Sequence, residues 1–152
     1  MERCLNDMPV TTDADIARVL SDTRSIALLG ASHKPERPSH RVMQYLLDQG
    51  FEVYPVNPGL SGQSLLGRTV YASLDDIPVA VDMVDVFRQP RFLADIVRQA
   101  IAIGASTLWT QLGVVDAVAA AEAEQAGLDV VMDRCPAIEG PRLQSRGLFF
   151  GK

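Results

Sequence analysis

Short apolar runs that alternate with longer amphipathic stretches constrain the fold more than any other feature of this chain. The run at residues 25–29 is stopped by Gly30 and lacks the apolar-polar alternation of a strand with one wet face, so it is predicted as a strand covered on both sides. Strands separated by a dozen or more residues are joined by crossovers and pair in parallel. The strands are predicted at residues 25–29, 51–56, 81–87, 106–110 and 128–132.

The intervening stretches predict helices that cover both faces of this sheet. Thr12 and Asp15 have the spacing of a helix start ahead of the first strand, and Ser39 is a candidate cap for the helix that follows it. We therefore predict an α/β fold of Rossmann-like, three-layer αβα form, with a five-stranded, mainly parallel sheet of order 3-2-1-4-5. In that order the connections leaving strands one and four diverge and open a crevice at the carboxyl edge, where a ligand should bind. Further helices are predicted at residues 90–104 and 115–126, residues 60–78 are predicted as a loop with one helical turn, and residues 139–152 are left unassigned.

Composition narrows the class of protein. The 152 residues fit one domain, residues 1–152, with a core at about 13–141. No apolar run approaches the length of a membrane span, and the first residues lack the apolar centre of a secretory signal, so a cytoplasmic protein is expected. A net charge of -5 without a basic run disfavours nucleic acid as a partner. Cys4 and Cys135 form no C-x-x-C pair, so both are expected as reduced thiols and no metal site is predicted.

The loop after the first predicted strand is a candidate phosphate-binding loop. Gly30 allows a close backbone approach, and the helix that follows offers free amides to an anion. A dinucleotide-binding loop would have glycine at positions 32 and 35, where this chain has Ser32 and Pro35. Lys34 and Arg37 add positive charge instead. The alternative is an ordinary turn between strand and helix that needs one glycine.

The end of the second predicted strand also departs from the NAD-binding pattern. NAD enzymes place an acidic residue there to bind the ribose hydroxyls, whereas this chain has Asn57. A carboxylate would repel a phosphorylated ribose, and an asparagine does not. The site is therefore expected to tolerate an additional phosphate on the ribose.

Five segments, taken in order and spacing, resemble the stand-alone CoA-binding domain proteins. That family is similar to the CoA-binding domain of succinyl-CoA synthetase alpha chains and NDP-forming acyl-CoA synthetases. The resemblance covers about residues 13–141 and implies a Rossmann-like fold with CoA or acyl-CoA across the carboxyl edge of the sheet. The segments are GAS at 30–32, YPVNP at 54–58, VDVFR at 84–88, WTQLG at 109–113 and VMDRCP at 131–136.

The resemblance also implies which residues touch the ligand. On physical grounds, our hypothesis is that Ser32 and its neighbouring amides would hold the diphosphate and that Lys34, Arg37 or Arg41 would supply positive charge. The alternative for each basic residue is a solvated surface side chain. Phe87 would pack near the adenine or the pantetheine arm. Cys135 could face the crevice near the pantetheine thiol and form a mixed disulfide with CoA; the alternative is a buried apolar thiol. The implied contacts are Gly30, Ala31, Ser32, Val56, Asn57, Pro58, Phe87, Arg88, Gln111, Leu112 and Gly113.

Nothing in the sequence predicts a catalytic residue. No nucleophile elbow or Walker loop is present, Asp82 and Asp85 are interpreted as strand-edge residues, and His33 and His40 as hydrogen-bonded loop histidines. The main hypothesis is a non-catalytic CoA-binding module with a possible protein partner or homodimer. The alternatives are an NAD(P)-dependent oxidoreductase that uses the same crevice, and a CoA-responsive regulatory subunit.

Overall fold

The computed structural model describes residues 12–149, in which five parallel strands form one sheet and two short strands form a separate hairpin. Helices or 3-10 turns follow most of the strands. The elements in chain order are α1 Asp13–Asp22, β1 Ser25–Leu29, α2 Pro38–Asp48, β2 Glu52–Val56, β3 Ser64–Leu65, β4 Arg68–Thr69, β5 Met83–Val86, α3 Leu93–Ala102, β6 Thr107–Thr110, α4 Ala117–Gln125, β7 Asp129–Val131 and α5 Pro136–Ser145.

The strand order in the main sheet is β2-β1-β5-β6-β7, and all pairs are parallel. The predicted fold class is confirmed. Tyr71 forms a single parallel bridge to Val56 at the end of β2. If Tyr71 is counted as the third position, the order Tyr71, β2, β1, β5, β6 matches the pattern 3-2-1-4-5, and β7 follows β6. The assignment of residues 81–87 to the third position was wrong, because β5 pairs with β1 and β6. The Asp82 carboxylate secures this pairing by accepting hydrogen bonds from the amides of Arg24 and Ser25 at 2.9 and 3.2 Å.

The sheet separates two apolar layers. Ile26 and Leu28 of β1 pack with α1, α2 and α5, whereas Ala27 and Leu29 pack with α3 and α4. All five residues of β1 are buried, as predicted for a strand covered on both faces. The chain therefore leaves β1 toward one face and β5 toward the other, and the diverging connections open a crevice at the carboxyl ends of these two strands.

The helix boundaries confirm some sequence signals and correct others. The Thr12 hydroxyl caps α1 by accepting a hydrogen bond from the Asp15 amide at 3.2 Å, as its spacing predicted. The prediction that Ser39 caps α2 was wrong: the helix begins at Pro38, Arg37 is its N-cap residue, and Ser39 is buried in the first turn. Proline at the first helical position sets the start instead, because its fixed φ suits that position.

Two segments form secondary structure that was not predicted from the sequence. Part of the predicted loop at residues 60–78 forms the hairpin of β3 and β4, although the expected helical turn is present at Leu74–Asp76. Helix α5 begins just before the unassigned tail and continues into it, and Arg142 ties it to α1 through two hydrogen bonds to Asp13 at 2.8 and 2.9 Å. No helix within residues 12–149 has both the length and the apolar character needed to cross a bilayer.

Candidate ligand-binding site

Gly30 lets the loops after β1 and β5 pack backbone against backbone. Its φ is +96°, and a Cβ atom added there would lie 2.8 Å from the Phe87 carbonyl oxygen. A side chain is therefore excluded both by the backbone conformation and by the neighbouring loop. The Phe87 amide in turn donates to the Leu29 carbonyl at 2.8 Å, so the two loops form one rigid floor.

Hydrogen bonds also join the loop after β1 to the end of β2. The amides of Gly30 and Ala31 both donate to the Val56 carbonyl, at 3.0 and 3.2 Å. The Asn57 side chain donates to the Ala31 carbonyl at 2.7 Å and accepts from the Gly59 amide at 2.8 Å. The first two amides are thus occupied within the fold, and Asn57 holds the loops together besides bordering the crevice.

Other groups around this loop remain available to an anion. Within residues 12–149 the amides of Ser32 and Ser39 find no acceptor, and Ser39 lies in the first turn of the eleven-residue helix α2. The Ser32 hydroxyl accepts from the Lys34 amide at 3.1 Å, which leaves its own O–H free to donate. Two exposed cations, Lys34 and Arg37, complete a rim that favours negative charge.

These groups border a first groove with a volume of about 670 Å³. It lies at the carboxyl ends of β1 and β5, where the connections that leave these two strands diverge, and it is bordered by the loops that follow β1, β2 and β5. Its lining residues are Leu29, Gly30, Ala31, Ser32, Lys34, Arg37, Pro38, Ser39, Val56, Asn57, Pro58, Gly59, Phe87 and Arg88.

A second groove of about 660 Å³ adjoins the first, and Pro38, Phe87 and Arg88 border both. Its walls are mainly apolar, and two apolar side chains at its mouth, Leu112 and Ile138, are 61% and 53% exposed. The second groove therefore suits an uncharged chain that leads out toward solvent. Its other lining residues are Arg41, Val42, Gln89, Pro90, Gln111, Gly113, Val114, Cys135 and Ala137.

Two arginines border the second groove and differ in their contacts. The Arg88 guanidinium lies 4.4 Å from the centroid of the Phe92 ring, which holds this cation at the junction of the grooves. The Arg41 guanidinium donates to the Glu36 carbonyl at 2.7 Å and so also supports the loop that rims the first groove.

A buried acid lies beneath the second groove. Asp85 is fully buried in β5, and its Oδ1 accepts a hydrogen bond of 2.6 Å from Nε2 of Gln111. Its Oδ2 has no hydrogen-bond partner in the described part of the chain. Burial raises the pKa of Asp85 to about 7, against the lowering effect of the Gln111 hydrogen bond. The interpretation of Asp85 as a strand-edge residue was wrong, because β5 is a central strand.

Cys135 is a free, half-buried thiol at the N-cap of α5. Burial raises the pKa of this thiol, and the negative charges of Asp85 and Glu139 act in the same direction. The backbone amides of Ala137 and Ile138, in the first turn of α5, act in the opposite direction. The thiol lines the second groove, which is the placement that its position after the fifth predicted strand suggested.

Every residue predicted to touch a ligand borders one of the two grooves, although their contact with CoA stays a prediction. The lining residues that sequence reasoning missed include Ser39, taken as a cap, Gly59, and the first turn of α5 with Ala137 and Ile138. Pro136 after Cys135 was the available signal for that turn, because proline is frequent at the first position of a helix. No group of three or more His, Cys, Asp and Glu side chains within residues 12–149 is arranged to hold a metal ion.

This fold and site define a Rossmann-like α/β protein whose candidate ligand site lies at the switch point of the sheet, with a cation-rimmed groove and an apolar extension. The sequence profile of the CoA-binding domain family matches residues 24–141. The chain belongs to this family, and its likeness to the CoA-binding domains of acyl-CoA synthetases is confirmed.

Individual relatives support the same assignment. The chain is 34% identical over 122 residues to the uncharacterized protein YneT of Bacillus subtilis (strain 168), covering 80% of this chain and 89% of that protein. It is 32% identical over 84 residues to the alpha subunit of an ADP-forming acetate-CoA ligase of Pyrococcus furiosus, covering 53% of this chain and 18% of that subunit. A solved structure of a hypothetical protein from Pyrococcus horikoshii OT3 superposes with a TM-score of 0.84 at 42% identity, covering 90% of this chain and 96% of that one.

Proposed function

We propose that this protein binds CoA or acyl-CoA across the two grooves and acts as a binding module without catalysing a reaction. The observation that carries the proposal is that a cation-rimmed groove adjoins an apolar one, with Pro38, Phe87 and Arg88 bordering both. CoA has the matching division, since its phosphorylated nucleotide is joined to an uncharged pantetheine arm. Membership of the CoA-binding domain family supports the same ligand.

The nucleotide half of CoA is assigned to the first groove. The amides of Ser32 and Ser39 and the Ser32 hydroxyl would donate to the diphosphate, and Lys34 and Arg37 would balance its charge. Val56 and Pro58, beside Asn57, would form the wall that adjoins the nucleoside. Among residues 12–149 no acidic side chain lines this groove, which suits a ligand with an additional ribose phosphate.

The pantetheine arm is assigned to the second groove. It would pass Phe87 and Arg88 at the junction and run between the loop after β6 and the start of α5. Because Nε2 of Gln111 is held by Asp85, the amide oxygen of Gln111 is the atom left to accept a hydrogen bond from an amide of the arm. The thiol or acyl end would then lie near Cys135 and the open mouth.

The ligand is tested by isothermal titration with CoA, acetyl-CoA, NADP and NAD, together with thermal unfolding. CoA at a hundred times its dissociation constant is expected to raise the free energy of unfolding by about 2.7 kcal/mol. Arg37→Ala is expected to weaken CoA roughly tenfold or more, because it removes a charged contact to phosphate. Arg98→Ala is the matched control, since Arg98 lies on α3 and lines neither groove.

Tighter binding of NAD or NADP than of CoA would reject the proposed ligand in favour of a dinucleotide. Equal CoA affinities for the Arg37 and Arg98 variants would reject the placement of the phosphates in the first groove.

A further inference from the structure

The second groove brings a thiol and a buried carboxylate to the same place. Cys135 lines the groove, and Gln111, which also lines it, is hydrogen-bonded to Asp85 underneath. Asp85 lies on the face of the sheet that α5 covers, because side chains alternate along β5 and its neighbour Met83 packs in that layer. The charge of Asp85 accordingly acts on the Cys135 sulfur.

A carboxylate oxygen without a hydrogen-bond partner among the described residues is buried close enough to this thiol to act on its charge. Asp85 Oδ2 is fully buried and accepts no hydrogen bond from any residue in the range 12–149. In its ionised form such an unpaired buried acceptor is costly, and a hydrogen-bond donor that reached it would reduce the cost. The apolar walls favour a donor on an uncharged chain, and a pantetheine arm has amide and thiol donors of this kind.

We propose that Cys135 is a modification site, at which the protein thiol forms a mixed disulfide with CoA by exchange with CoA disulfide. This inference rests on the proposed binding of CoA in the two grooves. One half of the disulfide would occupy both grooves, and the other half would extend through the mouth between Leu112 and Ile138 into solvent.

The exchange is balanced in atoms and electrons. The Cys135 thiol loses its proton to solvent, and its sulfur attacks the nearer sulfur of CoA disulfide. The old sulfur-sulfur bond breaks, a bond between Cys135 and CoA forms, and the departing CoA thiolate takes up a proton. One disulfide is consumed and one is formed, so no other oxidant is required.

The environment of Cys135 makes this reaction depend on prior binding of CoA disulfide in the grooves. Burial and the two nearby acids raise its pKa, so little thiolate is present at neutral pH and disulfides that do not bind should react slowly. A disulfide held by the first groove reacts as an intramolecular partner at a high effective concentration.

The inference is tested by intact-protein mass spectrometry on the full chain in a Cys4→Ser background, which leaves Cys135 as the one thiol. The protein is mixed with CoA disulfide or with glutathione disulfide at equal concentration, with and without 3′,5′-ADP as a competitor. Adduct formation is expected to be on the order of 100-fold faster with CoA disulfide. The competitor should remove this advantage without slowing glutathione disulfide, and a reductant should release CoA.

Equal rates for the two disulfides, or a CoA adduct on the Cys4→Ser/Cys135→Ser protein, would overturn the inference. If calorimetry detects CoA binding but no adduct forms, the modification is rejected and the proposed binding function stands. If neither binding nor adduct is found, both are rejected. Far-UV circular dichroism of each variant checks that the chain is folded.

Discussion

Asp85 shows how strongly the surroundings of a single residue determine its chemistry. The same carboxyl group at an exposed strand end would be a solvated anion. In β5 it is enclosed by the sheet and by α5, and only Gln111 donates to it within the described residues. Burial without a cation raises its pKa to about 7, so near neutral pH the group is close to half protonated.

The pKa of Asp85 predicts a pH dependence of stability. Between the ordinary pKa of 3.8 and the raised value of about 7, the folded state binds more protons than the unfolded state, so the free energy of unfolding falls as pH rises through that range. Asp85→Asn removes this dependence and can keep the hydrogen bond from Gln111. The stability of this variant relative to wild type should therefore rise by roughly 2–3 kcal/mol from pH 5 to pH 8.

Urea unfolding at the two pH values measures this change. Asp75→Asn, at an exposed position in a 3-10 turn, controls for the loss of one charge. A stability difference between wild type and Asp85→Asn that is the same at pH 5 and pH 8 would contradict the prediction.

Helix α5 is the element whose contribution to the site was least expected from the sequence. Its first turn lines the second groove, and its body packs on α2 through a close contact between Gly140 and Tyr45. A Cβ atom at Gly140 would overlap the Tyr45 hydroxyl group, so the glycine sets the distance between the two helices. The Tyr45 hydroxyl is itself buried without a hydrogen-bond partner within residues 12–149.

This contact predicts that replacing Gly140 by alanine lowers the free energy of unfolding, which is the opposite of the usual effect in a helix. Glycine to alanine in a helix interior ordinarily stabilises by up to about 1 kcal/mol. Gly140→Ala should instead destabilise by about 1–3 kcal/mol, because the added methyl group overpacks against Tyr45. Tyr45→Phe alone should cost little, since its hydroxyl has no partner to lose, and it should reduce the cost of Gly140→Ala.

A double-mutant cycle measured by urea unfolding gives the coupling between the two sites. Additive effects of the two substitutions, or a stabilising Gly140→Ala, would show that this contact does not set the helix spacing.

At the scale of the whole molecule, the three-layer fold brings loops from distant parts of the chain together around two adjoining grooves. Residues near position 30 and residues near position 135 border the two grooves, which meet at Phe87 and Arg88. A ligand with a nucleotide and an uncharged arm should therefore contact both ends of the site, whereas a nucleotide alone should contact one.

Hydrogen exchange measured by mass spectrometry tests this division. CoA is expected to slow amide exchange at residues 30–39 and in the first turn of α5, and 3′,5′-ADP to slow it at residues 30–39 alone. Helix α1 serves as an internal control, because it lines neither groove. Equal protection of α5 by both ligands, or protection of α1 alone, would contradict the assignment of the arm to the second groove.

Local signals in the sequence determined the five strands of the main sheet, most of the helices and many of the residues that border the site. Apolar runs of strand length and glycine or proline at their ends depend on near neighbours in the chain, so they are readable without the fold. Because the ends of parallel strands share one edge, residues that follow those strands were expected to meet, and they do. Helix α5 escaped this reading because Gly140 and Pro141 lower the helical propensity of its segment.

Only the tertiary structure decided which of those residues are free to bind. The amides of Gly30 and Ala31 are taken by the Val56 carbonyl, and the place of β5 between β1 and β6 buries Asp85. The division of the crevice into a cation-rimmed groove and an apolar groove likewise depends on how α2 and α5 lie against the sheet. Burial, pKa and the availability of a donor are set by atoms from remote parts of the chain, and for that reason they become defined only when the layers pack.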